Sequence, residues 1–185
     1  MRPAAAFVSC LLGACGGASA SASGDLDGAP MPLVSATFTV DASASSFPHQ
    51  LLLTSAPELC ASLEEGRRPP GEARITIQLD RVDAQGRSLG IDAGEYEVIP
   101  PGQPVARGKE SRLALVRAIR TNESCENSLV SEHSTGTSGT VTLEEAGATL
   151  RGRYTFSTAG SGPVAGTFTA PECRFADPAV VPECR

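Results

Sequence analysis

An all-β fold, an antiparallel sandwich or partly closed barrel of about eight strands with one short helix, follows from three observations. Residues 139–173 hold three alternating runs separated by two turn signals, which is a β-meander. Turn signals recur every ~8–12 residues through the rest of the chain. One segment alone, near residues 56–65, carries helix start and stop signals.

The meander justifies itself residue by residue. Its first strand sets Val141 and Leu143 on one face, with Thr140, Thr142 and Glu144 opposite. Ala146-Gly147 turns the chain. Leu150, Gly152, Tyr154 and Phe156 share a face of the second strand, and Val164, Gly166 and Phe168 share one of the third, after a turn over residues 158–162. One apolar and one polar face is what a sheet with a single buried side requires. A hairpin closing near Gly160 pairs Tyr154 with Gly166 and Phe168 with Gly152. Each ring then covers the bare backbone opposite, unless these glycines mark bulges instead.

In chain order, residues 1–15 read MRPAAAFVSCLLGAC: one Arg, a short apolar run, then small residues leading into Cys15. The run is too short to cross a bilayer, so it reads as an export signal. Leu12-Gly13-Ala14-Cys15 resembles a bacterial lipobox, with small side chains at the scissile bond and a thiol to take the lipid. That resemblance implies a signal peptide over residues 1–14 and acylation of Cys15. An ordinary secretory signal cut near Ala20 or Ala22 is the other option. Residues 16–32 are Gly, Ala, Ser and Pro with two Asp, a composition that buries little, so residues 15–32 are expected to be lipidated cysteine and flexible linker. Asp25-x-Asp27-Gly28 lacks the remaining ligands of a calcium loop. A single disulfide-containing β domain is then expected over residues 33–185.

Within it, residues 34–41 alternate, with Val34, Ala36, Phe38 and Val40 on one face. Residues 47–54 end in Leu51-Leu52-Leu53, a run that implies burial on both faces. Ser55-Ala56-Pro57-Glu58 has capping-box spacing, so a helix over residues 56–65 should start there and stop at Gly66. Leu59, Cys60 and Leu63 on one face would cover the Leu51–Leu53 strand. Strands follow at 74–82, with Ile75, Ile77 and Leu79 inward, at 95–99, and at 111–120, where alternation competes with a helical spacing.

Four cysteines remain beyond the signal: Cys60, Cys125, Cys173 and Cys184. An even number in an exported chain reads as two disulfides. Loop-closure entropy favours the local pair Cys173–Cys184, leaving Cys60–Cys125. Cys60–Cys173 with Cys125–Cys184 would instead tie the helix to the last strand. No C-x-x-C spacing and only two histidines argue against zinc.

The motifs quoted so far, together with Gly94-x-Tyr96-x-Val98, Thr121-Asn122-Glu123-Ser124-Cys125 and Gly166-Thr167-Phe168-x-Ala170, resemble a group of uncharacterised predicted bacterial lipoproteins of myxobacterial type. The resemblance covers most of residues 33–173. It implies an envelope lipoprotein and carries no activity.

Chemistry-bearing constellations are sparse. A net charge of −6 speaks against nucleic-acid partners, the single lysine, Lys109, beside fourteen arginines reads as a composition bias rather than a functional signal, and no cofactor is expected. Ser131-Glu132-His133 are sequence neighbours, whereas triad members meet in space. His133 is expected to be solvated, and His49, in phase with Leu51 and Leu53, to be an edge histidine. The doublets Glu64-Glu65 and Glu144-Glu145 read as solvated surface, and Glu95 with Glu97 as a weak glycosidase signal. The expectation is therefore a noncatalytic, membrane-anchored interaction or structural module of the cell envelope, placed at the outer membrane. Its partners would be a bilayer, through the acyl anchor, and an envelope protein. The alternative is a small apolar-ligand carrier or secreted hydrolase. A cavity lined by Leu53, Ile77 and Phe156 would favour the carrier, and close packing there the module.

Overall fold

The computed structural model describes residues 17–105, 108–129, 131–174 and 183–184; Cys15 and the signal peptide expected over residues 1–14 lie outside them. Three short strands, β1 (Ser19–Ala20), β2 (Asp25–Leu26) and β3 (Ala29–Pro30), precede β4 (Ser35–Val40) and β5 (His49–Thr54). Helix α1 (Leu59–Glu64) and β6 (Arg67–Arg68) lead into β7 (Ala73–Val82), β8 (Gly94–Val98) and β9 (Ser111–Arg120). A 3₁₀ turn (Ser131–Ser134) precedes the meander β10 (Gly136–Glu145), β11 (Thr149–Thr158) and β12 (Ser161–Pro171), and β13 (Glu183–Cys184) ends the described chain.

Nine of the strands form one sheet in the order β1-β12-β11-β10-β8-β9-β7-β5-β4, rolled into a nearly closed barrel, while β2 pairs with β3 and β6 with β13. Alternation decides which residues fill it. Leu51, Leu53, Ile75, Ile77, Leu79, Tyr96, Val141 and Val164 are all buried in one continuous core. On β9 the inward residues are Ala114, Val116 and Ala118. Leu113 instead joins Val82 and Ile99 in a second small cluster, with Val105 of the β8–β9 crossover packed against it. That crossover makes β8 and β9 parallel, with Glu97 opposite Leu113, so the sheet is not purely antiparallel as expected. A dozen residues punctuated by Pro100-Pro101-Gly102 are long enough for a crossover and unsuited to a tight hairpin.

The meander pairs as its pattern requires. Gly152 lies opposite Phe168 and Tyr154 opposite Gly166. A Cβ on Gly152 would stand 3.1 Å from the Phe168 ring and strike the carbonyl oxygen of Thr142. The aromatic rings thus occupy the volume that the glycines leave empty.

Three expectations need correction. The first is the linker, which is part of the fold from residue 17 onward. Ser21 and Ser23 donate backbone N–H groups to Thr167 and Ala165 carbonyls at 3.0 and 2.7 Å. Leu26 is fully buried and Met31 nearly so, capping one end of the barrel. Small polar residues bury little by themselves, but here the edge of β12 supplies the hydrogen bonds and the barrel end receives two large side chains. The second is strand β4, where Ala36 and Phe38 are buried but Val34 and Val40 are exposed.

The third is the helix, which begins at Leu59 rather than 56 and lies beside β4 rather than over β5. Ser55 Oγ does not cap it; the hydroxyl accepts the Ala73 N–H at 2.9 Å. Pairing of β5 with β7 ends at Thr54 and Arg74, which leaves that amide facing the serine. Glu58, with φ of 54°, starts the helix without a side-chain cap. Gly66 stops it as expected, with φ of 63°.

The disulfides are Cys60–Cys173 and Cys125–Cys184, not the local pairing. Topology overrides loop entropy. The end of β12 runs along β4, with the Cys173 N–H bonded to the Phe38 carbonyl at 2.7 Å, and α1 lies alongside. Residues Glu183 and Cys184 pair in parallel with β6, whose following loop bonds the Asn122 turn through Gly71. That brings Cys184 to Cys125.

The glycine–aromatic packing makes a direct prediction. Gly152→Ala should destabilise the protein by about 1–3 kcal/mol in urea unfolding, because backbone must move to admit the methyl. Gly147→Ala, where a Cβ meets nothing within 4 Å, should stay within about 0.5 kcal/mol of wild type. Equal effects at the two positions would contradict this packing.

Candidate functional site

At the barrel end away from the Leu26 cap, Val40 at the end of β4, His49 at the start of β5, Ile91, the 146–148 turn and the chain leaving β12 surround a cleft of about 430 Å³. Phe38 and Leu150 contribute apolar lining, and His49, Glu172 and Arg174 contribute polar groups. His49 is placed there by β5, where it starts the strand between Val40 and Leu79. Its Nδ1 is buried without a hydrogen-bond partner. Burial pushes its pKa below the ordinary histidine value, opposed by the nearby Asp80 carboxylate.

The neighbouring carboxylates are committed elsewhere. Asp80 is buried and accepts the Phe47 N–H at 2.9 Å and the Ser88 hydroxyl at 2.6 Å, pinning two loops at the rim. Glu172 accepts two N–H groups of Arg174, each at 3.1 Å, which holds its carboxyl below the usual range. Among the described residues no carboxylate is hydrogen-bonded to the buried His49 Nδ1, so none orients the ring through that atom. What the cleft offers is an imidazole at the mouth of a barrel, beside apolar side chains.

His133, expected to be solvated, is partly covered. Its Nδ1 pairs with the Asp27 carboxylate, and its ring lies over Gly160. The Asp27 N–H bonds Ser161 Oγ at 3.2 Å. The acid, the histidine and the serine are thus neighbours, yet the serine oxygen is held by the acid's own amide. These bonds describe a latch between the β2–β3 hairpin and the β11–β12 turn, rather than a charge relay into a nucleophile. The residues come from separate parts of the chain, so the local sequence gave no sign of the pairing.

Glu95 and Glu97 both stand exposed on the outer face of β8, opposite Thr142 and Thr140. Glu144 pairs with Arg153 at 3.0 Å, and Glu65 with Arg67, both at the surface. Cys60, Cys173 and Glu64 lie close enough to hold an ion. Both sulfurs are consumed by the disulfide, so the oxidised protein offers no thiolate there.

A cluster that sequence reasoning missed closes part of the wall. Asp92 accepts Arg81 Nη1 at 2.8 Å and two N–H groups of Arg112 at 2.9 and 2.8 Å. The hydroxyl of the buried Tyr96 donates to the Asp92 carbonyl at 2.9 Å. The Arg112 guanidinium holds the Asp92 carboxyl low. Its partners come from three different strands, which no local spacing reveals.

Leu53, Ile77 and Phe156 are buried in the core and line neither the His49 cleft nor the groove between β4 and α1. No protein-family model matches this chain, and no curated protein or solved structure is significantly similar to it.

His49 gives a pH prediction. Because its folded pKa lies below 6.5, the unfolded chain binds a proton first as pH falls. Stability from this group is present above 6.5 and is lost as pH drops through the folded pKa. Asp92 and Glu172, held low by Arg112 and Arg174, add their loss only in the carboxylate range. Urea midpoints should therefore decline below pH 6.5 in wild type and decline less in His49→Gln. Parallel curves would show that His49 does not carry the dependence.

Proposed function

We propose that this chain is an exported envelope lipoprotein, anchored in a bilayer by acyl chains on Cys15. Its barrel then serves as a noncatalytic interaction or structural module. The observation that carries the reading is the pair of disulfides, which uses all four cysteines from Cys60 onward. Stable cystines persist in oxidising compartments outside the cytoplasm. An outer-membrane location, an envelope protein partner and the lipoprotein resemblance belong to the same proposal.

Two further features support it. Cleavage near Ala20 or Ala22 would remove β1 and its pairing with Thr169 and Phe168, whereas cleavage before Cys15 leaves that pairing intact. The core around Leu53, Ile77 and Phe156 is filled by side chains, which favours work at the outer surface over carriage inside. A second reading, a small-ligand carrier, has one feature in its favour: the His49 cleft at the barrel mouth.

Mass spectrometry of the native mature protein tests the anchor. The amino-terminal peptide should begin at Cys15 and carry acyl chains, and Cys15→Ser should move the protein to the soluble fraction. An unmodified terminus near residue 21 or 23 would overturn it. Capture from intact envelopes should recover a protein partner held by the barrel's exterior, whereas a co-purifying small molecule would favour the carrier.

A further inference from the structure

Between β4 and α1 lies a groove of about 370 Å³, lined mainly by apolar atoms of Ala36, Pro57, Leu59, Ala61 and Pro171. Val34, 52 % exposed, stands at its edge, an unusual exposure for a branched apolar side chain at the seam of a barrel. Among the described residues that line the groove, Glu58 is the one with an ionisable side chain.

Ala18 lines the same groove. Directly after it, β1 is bonded to β12, and the Ala20 N–H approaches the Val34 carbonyl at 3.4 Å. The chain is thus fixed to the barrel from Ser19 onward. Only three peptide steps separate Ala18 from Cys15, a reach of at most ~11 Å. A lipid-bearing Cys15 sits at the bilayer interface, so Ala18 and the groove beside it must lie within that short distance of the membrane.

We infer that the face formed by Val34, α1 and the β4 groove docks against the bilayer in which Cys15 is anchored, so that the barrel is held in one orientation. The inference rests on the proposed acylation of Cys15. The exposed apolar side chains of Val34, Pro57 and Ala61 then meet the interfacial region, and a lining whose one carboxylate is Glu58 brings little charge to it. The cleft carrying His49 and the outer wall of β8 are left facing the aqueous side, available to partners.

The test uses the full mature protein, its acylation first confirmed by intact mass, in phosphatidylcholine–phosphatidylethanolamine vesicles. A photoreactive phenylalanine replaces either Ala61, exposed on the groove, or Glu97, exposed on β8. Lipid adducts should form several-fold more at position 61. A Gly/Ser spacer of about 15 residues inserted after Gly17, spanning ~20 Å, should bring position 61 down to the level of 97 while flotation with vesicles is unchanged. Acylated protein that floats but labels both positions equally, or labelling at 61 that survives the spacer, overturns the docking alone. Absence of acylation in the native protein removes the anchor, and the docking with it.

Discussion

The outward edge of β12 is the constraint on which the structure depends. A sheet rolled into a barrel must satisfy both of its last strands, or leave a row of open N–H and C=O groups. Here β12 and β4 meet over a short stretch, where Thr37 Oγ1 bonds the Pro171 carbonyl at 2.9 Å and Cys173 bonds Phe38. The remainder of that edge is taken by residues 19–23, laid down antiparallel from Thr169 to Ala165. The seam is therefore closed by two different parts of the chain. Cys60–Cys173 ties α1, packed beside β4, to the residue that ends the β12 contact. A cross-link spanning 113 residues constrains the unfolded chain strongly, in the range of about 2–5 kcal/mol.

The same segment that zips the seam also closes one end. After β1, the chain turns through the β2–β3 hairpin and inserts Leu26 and Met31 into the core, and Arg120 Nη2 holds the carbonyls of Ala29 and Pro30 at 3.0 and 2.9 Å. The Asp27–His133 pair fastens the hairpin to the 3₁₀ turn that precedes the meander, and the Asp27–Ser161 bond fastens it to the β11–β12 turn. The two histidines thus have different settings. His133 is absorbed into the closure, and His49 stands at the opposite end with its buried Nδ1 unpaired, in a cleft at the mouth.

Most of the barrel was legible because strand pattern and burial speak the same period-two language. The glycine–aromatic pairing of β11 with β12 could be read from Gly152, Tyr154, Gly166 and Phe168 alone, since only one hairpin register places each ring over a glycine. Residues 111–120 could be read as a strand from their neighbours. The seam was not legible. Residues 17–32 look disordered by composition because their order comes from hydrogen bonds that β12 supplies, and composition does not record a partner's edge. Two disulfides were legible, but the choice between the two pairings was not, for a related reason: loop entropy weighs sequence distance, whereas the end of β12 had already been carried to α1 by the fold. The capping box at Ser55 was a true local signal that lost to a cross-strand amide. The His49 cleft was visible only as a strand parity, and the Asp27–His133 latch not at all, because its halves lie in separate segments.

Hydrogen exchange at Ala165 and Thr167 tests the seam most directly. The Ala165 N–H is bonded to the Ser23 carbonyl at 3.0 Å and the Thr167 N–H to Ser21 Oγ at 3.1 Å, so both depend on the amino-terminal segment. Both amides should exchange orders of magnitude more slowly than an open strand edge, and should lose that protection in a chain beginning at residue 32. Fast exchange at both in the full mature protein would mean that residues 17–32 are a leash after all and that the barrel is not closed in this way.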